Sequence, residues 1–371
     1  LNPNERKGFC PDFGLGQTEM AEYGGNSEQV SSLDCGCGGS DCQCGAGDLY
    51  AAIDLGTNNC RLLIAKSSPD GVKVVDAFSR IVRLGEGVDR TEMLSPAAMD
   101  RTIDALSVCA EKMRRRSVTG GRFVATEACR RARNGDAFLE RVRRETGINL
   151  DVISAEEEAT LAVSGCAPLL DEDCKNALVF DIGGGSTELI WLKICPGEAP
   201  DVLGWTSLPF GVVSLSERFG GHNPSAQDYE AMVENVQSQL GDFEAEHGLR
   251  AAFGEGAAHM LGISGTVTTM AAVSLELPRY DRSKVDGAWL SDNEIIRVSR
   301  NLATMAYADR VAHPCIRKSR ADLVVSGCAA MDAMLREWPA DRIRVADRGL
   351  REGILLKLMQ SSSAAQPHAS V

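Results

Sequence analysis

The chain has 371 residues, 44% of them hydrophobic and 25% charged, with a net charge of -13. That is enough for two ordinary domains with sizeable cores. No apolar run approaches the roughly 20 residues of a membrane helix, and the acidic balance argues against general nucleic-acid affinity.

The first 47 residues have low complexity and are expected to form a disordered Cys/Gly-rich tail. The opening LNPNERKGFCPDFG has no apolar h-region, so no signal peptide is expected. Thirteen cysteines are present. Those inside apolar runs (Cys60, Cys109, Cys166, Cys328) read as small buried hydrophobes, reduced in a cytoplasmic protein. Cys35, Cys37, Cys42 and Cys44 form two C-x-C pairs that either hold a soft metal or belong to the tail.

Order is expected from LYAAIDLG onward. Residues 49–55 and 61–66 read as strands joined by GTNN, and 72–82 as a third strand. A helix is predicted over 95–116, with Ser95 and Pro96 as N-cap and N1. A strand at 123–126, a helix at 135–146 and a strand at 151–154 follow, and a helix starts at Ala155. Residues 101–150 carry twelve Lys/Arg against six Asp/Glu. This stretch is read as a solvated Arg-rich face or as a local attractor for a polyanion.

After a boundary near 167–176 the pattern restarts. Strands are predicted at 177–183, within GGSTELIWL, at 201–208 and at 259–264. Helices are predicted at 211–219, 225–246, over most of 291–337 and at 349–359, with a strand at 342–347. IDLGTNNCRLLIA (53–65) and FDIGGGSTELIWL (180–192) superimpose without a gap at an offset of 127 residues. Such a period suits a duplicated domain rather than a solenoid. The expected domains are 48–170 and 171–360, with a disordered end at 361–371. Each half would present an Asp and a Gly-rich turn to a shared cleft.

Glycines permit close backbone approach, and successive N–H groups in such turns bind anions. Thr57, Asn58, Ser186 and Thr187 add side-chain donors. The Asp before each turn, Asp54 or Asp181, can hold Mg2+ that meets the phosphate. Walker A, G-x-G-x-x-G, H-E-x-x-H and G-x-S-x-G sequences do not occur, and five scattered His argue against a His-rich metal site. Chemistry therefore falls to carboxylates and metal. In ISAEEEATLAV, Glu156, Glu157 and Glu158 point about 100° apart on a helix. Glu158, three and four residues before Leu161 and Ala162, is the one placed inward. It is either a base for water or a first-turn residue complementing the helix dipole. Arg130, Arg131 and Arg133 follow a strand and offer phosphate-binding guanidinium groups or a solvated face. GISGT (262–266) is a phosphate site at a helix N-terminus or a tight junction.

Taken in order, AAIDLGTNN, ATEACRRARN, ISAEEEA, VFDIGGGSTEL, GVVSLSERF, GISGT and LREG resemble the exopolyphosphatase/guanosine pentaphosphate phosphohydrolase (Ppx/GppA) family, from about Tyr50 to Leu356. The resemblance implies an α/β fold of two ribonuclease-H-like (actin/Hsp70/sugar-kinase-like) domains around a central cleft, with mixed sheets flanked by helices. It implies Glu158 as the catalytic glutamate. Gly56, Thr57, Asn58, Arg130, Gly183, Gly184, Gly185, Ser186 and Thr187 would bind phosphate, with Gly265 and Thr266 of the third turn. Asp54, Asp181 and Glu188 would serve Mg2+, with Mn2+ the alternative. The implied substrate is polyphosphate or guanosine pentaphosphate, with no nucleic-acid or membrane partner and a homodimer as the assembly to test. A kinase of the same superfamily and a nucleotide-binding sensor are the competing readings. Thr57 stands where the family often has Ser, Asn59 replaces a usual Ser, Thr160 replaces an Arg, and DRGLREG departs from D-G-x-x-R-E-G. Few residues follow Gly353, so the C-terminal helical domain of larger members, and the processivity it brings, are not expected.

Overall fold

The computed structural model describes residues 48–68 and 71–364. The expected tail at 1–47, with its four cysteines, and residues 365–371 lie outside the described residues.

The first half contains strands β1 (Leu49–Leu55), β2 (Asn59–Ser68), β3 (Gly71–Ile81), β4 (Gly120–Ala125) and β5 (Asp151–Val152). Its helices are α1 (Val88–Thr91), α2 (Pro96–Arg115), α3 (Glu127–Arg131), α4 (Gly135–Thr146) and α5 (Ala155–Cys166). The second half has β6 (Asn176–Ile182), β7 (Thr187–Lys193), β8 (Asp201–Leu208), β9 (Ala258–Gly262), β10 (Trp289–Ser291) and β11 (Arg342–Val345). Around them run α6 (Val212–Arg218), α7 (Ala226–His247), α8 (Leu249–Gly254), α9 (Gly265–Ser274) and α10 (Arg282–Val285). The remaining helices are α11 (Asp292–Thr304), α12 (Tyr307–Ala312), α13 (Val324–Glu337) and α14 (Leu350–Ala364).

The two sheets repeat one plan. In the first, order β3-β2-β1-β4-β5, β1 pairs antiparallel with β2 and parallel with β4. In the second, order β8-β7-β6-β9-β11-β10, β6 pairs antiparallel with β7 and parallel with β9. The register repeats as well: Asp54 faces Arg61 across β1–β2, and Asp181 faces Glu188 across β6–β7. The central strands are continuous apolar runs because helices cover both faces. Ala51, Ala52 and Ile53 in β1 and Ala177 to Phe180 in β6 are fully buried.

Local chemistry sets the helix starts. Ser95 Oγ accepts from Ala98 N at 3.2 Å ahead of Pro96, and Ser154 Oγ accepts from Glu157 N at 3.1 Å to open α5. Helix α5 then packs in two directions. Ala159 and Val163 join a core with Val179 and Ile190 of the second sheet, while Leu161 joins one with Leu63 and Val124 of the first. Helix α14 comes last in the chain yet packs with Leu355 and Met359 on the first sheet. Helices α5 and α14 meet at glycine: a Cβ on Gly353 would lie 1.8 Å from Leu161 O, and one on Gly165 2.0 Å from Gly349 O.

The basic stretch 101–150 is largely neutralised by neighbours. Lys112 and Arg116 bind Asp76, Arg141 binds Asp100 and Glu145, and Arg122 binds Glu157. These pairs favour the solvated-face reading over the polyanion attractor.

Candidate active site

The turn after β1 closes with Gly56 N donating to Asn59 O at 2.9 Å. The turn after β6 closes with Gly183 N donating to Ser186 O, again at 2.9 Å. The same bond thus recurs 127 residues on. The two turns face each other in contact. A Cβ on Gly184 would lie 3.0 Å from Thr57 Cβ, and one on Gly185 would lie 2.9 Å from Thr57 Oγ1. Glycine here lets two backbones approach one anion from opposite sides. The first turn is buttressed by Gly85 N on Thr57 O at 2.9 Å, the second by Val212 N on Gly183 O at 3.0 Å.

Both turns open on one cavity with about 130 Å³ of space for water. Asp54, Gly56, Thr57, Asn58, Glu158, Asp181, Gly183, Gly184, Gly185, Ser186, Glu188, Gly265 and Thr266 all line it. Of the three consecutive glutamates, Glu158 faces the cavity, Glu157 bonds Arg122 at 2.6 Å, and Glu156 is exposed.

Two expected phosphate ligands stand elsewhere. Arg130 does not line the cavity. Its Nη1 donates to Glu158 Oε2 at 3.1 Å and to Ile153 O at 2.8 Å, and its Nη2 to Glu127 Oε2 at 2.7 Å. The guanidinium is spent on holding Glu158 and Glu127, because α3 turns it toward the start of α5. Thr187 is fully buried, and its hydroxyl donates to Phe210 O at 2.9 Å. As the first residue of β7 it points into the sheet rather than into the turn. At the third turn, Ser264 Oγ accepts from Thr266 N and Val267 N at 3.2 and 3.3 Å. Those helix N-terminal donors are therefore capped internally.

Four of the carboxylates that line the cavity have raised proton affinities. Burial pushes Asp181 up to about 6. Burial, then the charge of Asp181, pushes Glu188 up to about 7, although hydroxyls of Ser186 and Ser207 donate to its Oε1 at 2.7 and 2.9 Å. Burial, then Glu188, holds Glu158 well above the ordinary range, with Arg130 opposing. Burial also raises Asp54, against Arg61 at 3.7 Å. Several desolvated carboxylates beside one another are a poor arrangement without a cation. Among the described residues no three His, Cys, Asp or Glu side chains form a ready metal cage. Hard oxygen donors at two positions with room for water suit Mg2+, which takes one or two carboxylates and completes its shell with phosphate and water.

Sequence reasoning missed the lining residues Arg61, Glu127 and Arg320, and it noted the DRGLREG segment without giving Asp347–Glu352 a place in the site. Arg61 could have been found, since the 127-residue offset sets it against Glu188. Arg320 follows no motif. It is partly buried just ahead of α13 and reaches the start of α9, where its guanidinium donates to Gly265 O at 3.1 Å; desolvation, then Arg61, lowers it to about 9. A desolvated guanidinium with no carboxylate bonded to it favours an anion in the cavity.

A model of the Ppx/GppA phosphatase family matches residues 63–362. Exopolyphosphatase 2 of Mycobacterium tuberculosis is 31% identical over 322 residues, 83% of this chain and 98% of that relative. A guanosine-5'-triphosphate,3'-diphosphate pyrophosphatase of Vibrio parahaemolyticus is 30% identical over 318 residues. That match covers 85% of this chain but 60% of the relative, so the chain spans under two thirds of its length. The crystal structure of the Aquifex aeolicus member of the Ppx/GppA family is similar with a TM-score of 0.69 and 28% identity, over 86% of this chain and 99% of that one. No described helix is long and apolar enough to cross a membrane.

Proposed function

The chain belongs to the Ppx/GppA phosphatase family, and we propose that it releases terminal orthophosphate from inorganic polyphosphate, from guanosine pentaphosphate, or from both. The observation that carries this reading is the meeting of two Asp-bearing glycine turns around one cavity that also receives Glu158. The eight described cysteines are all free thiols, which supports a reducing, cytoplasmic setting.

In this reading the terminal phosphoryl group lies between the turns, where backbone N–H groups and the Arg320 guanidinium meet its oxygens. Asp54 and Asp181, with Glu188 beside them, would hold Mg2+, which neutralises charge on phosphate oxygens. Glu158 orients a water and takes its proton as the water oxygen bonds to phosphorus. Burial and the neighbouring Glu188 raise its proton affinity above that of an ordinary carboxylate, which strengthens it as a base. Arg130, bonded to both Glu158 and the Ile153 carbonyl, fixes the carboxylate's direction. The electron pair of the broken anhydride bond leaves on the shortened chain.

The test is phosphate release from long polyphosphate, short polyphosphate and guanosine pentaphosphate, with Mg2+ varied. Orthophosphate without any acceptor, abolished by chelation, supports the reading. Guanosine pentaphosphate binding with no release from any of the three would favour a sensor instead.

A further inference from the structure

Glu127 also lines the catalytic cavity. It opens α3, and the helical spacing of three residues brings its side chain to that of Arg130. Glu127 Oε2 accepts from Arg130 Nε at 3.0 Å and from Nη2 at 2.7 Å. The remaining nitrogen, Nη1, donates to Ile153 O at 2.8 Å and to Glu158 Oε2 at 3.1 Å. All three guanidinium nitrogens of Arg130 are thus engaged, two of them by a single oxygen of Glu127. Behind Glu127, Arg131 Nε approaches Oε1 at 3.9 Å and pairs in turn with Asp89 of α1. Charge alternates along Asp89, Arg131, Glu127, Arg130 and Glu158, from an exposed helix to the proposed base.

A guanidinium is planar, and its donors form a rigid fork. An acceptor that holds Nε and Nη2 together fixes the rotation of that plane, and Nη1 then has one direction. Without Glu127 only Nη1 would be anchored, and the long Arg130 stem could turn its plane about that point. Resting on the hydrolytic reading above, we propose that Glu127 is a positioning residue: it clamps the Arg130 plane, and the clamped Arg130 aims Glu158. Two other tasks would use the same place on the cavity wall, Mg2+ ligation and proton transfer by Glu127 itself. Its Oε2 is already taken by two N–H donors, which favours the clamp over either.

Three variants assayed by phosphate release from polyphosphate test the assignment. Glu127→Ala should lower kcat about tenfold, with KM and the Mg2+ concentration for half-maximal rate within about twofold of the wild type. Glu127→Gln keeps a neutral acceptor oxygen at the same reach and should return kcat to within about threefold of the wild type. Glu127→Ala added to Arg130→Gln should deepen the loss of Arg130→Gln alone by about twofold at most, since the clamp has no guanidinium left to hold. Losses that multiply in the double variant would overturn the assignment, as would an unchanged kcat in Glu127→Ala. A glutamine no better than alanine would show that charge and not direction matters, and a Mg2+ requirement raised about tenfold would make Glu127 a metal ligand instead. If the wild type itself releases no orthophosphate, the hydrolytic reading fails first, and the clamp's role with it.

Discussion

Replacing Gly353 by Ala attacks the site from a distance. The new Cβ would stand 1.8 Å from Leu161 O and 2.8 Å from Leu161 C. Both are backbone atoms, so no rotamer change relieves the overlap. Restoring ordinary contact, near 3.4 Å, requires α5 and α14 to separate by about 1.5 Å. Glu158 sits one turn before Leu161, and Leu350 to Glu352 of α14 line the same cavity. The separation therefore moves the base relative to the glycine turns. Overpacking costs about 1–3 kcal/mol. The gain in helix propensity from Gly to Ala returns about 1 kcal/mol. The net loss should lower Tm by only a few degrees. Misplacement by about 1 Å should cost turnover about 100-fold. Thermal melts and steady-state phosphate release on the same preparation separate the two effects. A variant with wild-type Tm and wild-type kcat would show that the helices do not meet at Gly353 or that Glu158 does not act from α5.

Asp181 and Glu188 carry raised proton affinities, about 6 and about 7. A raised carboxylate favours the fold below its unfolded value near 4, and that contribution fades as pH climbs through the folded value. In chelator, Asp181→Asn should therefore gain stability over the wild type as pH rises from 4 to 8, by up to about 2–3 kcal/mol. Saturating Mg2+ should erase the gain, and a pH-independent difference would contradict it. Arg130→Gln should lower kcat by about tenfold or more and leave KM nearly unchanged. Without the guanidinium Glu158 binds its proton more tightly, so the acid limb of the rate profile should move to higher pH. An unmoved limb would return Arg130 to a purely structural role.

Much of this architecture was legible because the two halves keep one register. The 127-residue offset in the sequence becomes the same turn bond and the same cross-strand partner in both sheets. Glu158 was legible among three glutamates from the apolar positions that follow it. Residue type left Arg130 open between phosphate ligand and solvated face, and the resemblance implies the former; charge carries no direction, and α3 aims the guanidinium at Glu158. Thr187 was read as a turn donor because a strand's first residue faces either way. Arg320 and the return of α14 to the first sheet depend on contacts between segments far apart in sequence, which local pattern does not carry. Gly165 and Gly353 are individually ordinary helix glycines, and only their mutual approach gives them a role.

Whether one carboxylate acts on water held beside the paired turns is tested most directly by Glu158→Gln. The exchange keeps shape and removes the base. Substrate affinity from direct binding should match the wild type, while the single-turnover rate of phosphate release falls about 100-fold or more. A variant that binds and turns over as fast as the wild type would contradict the account.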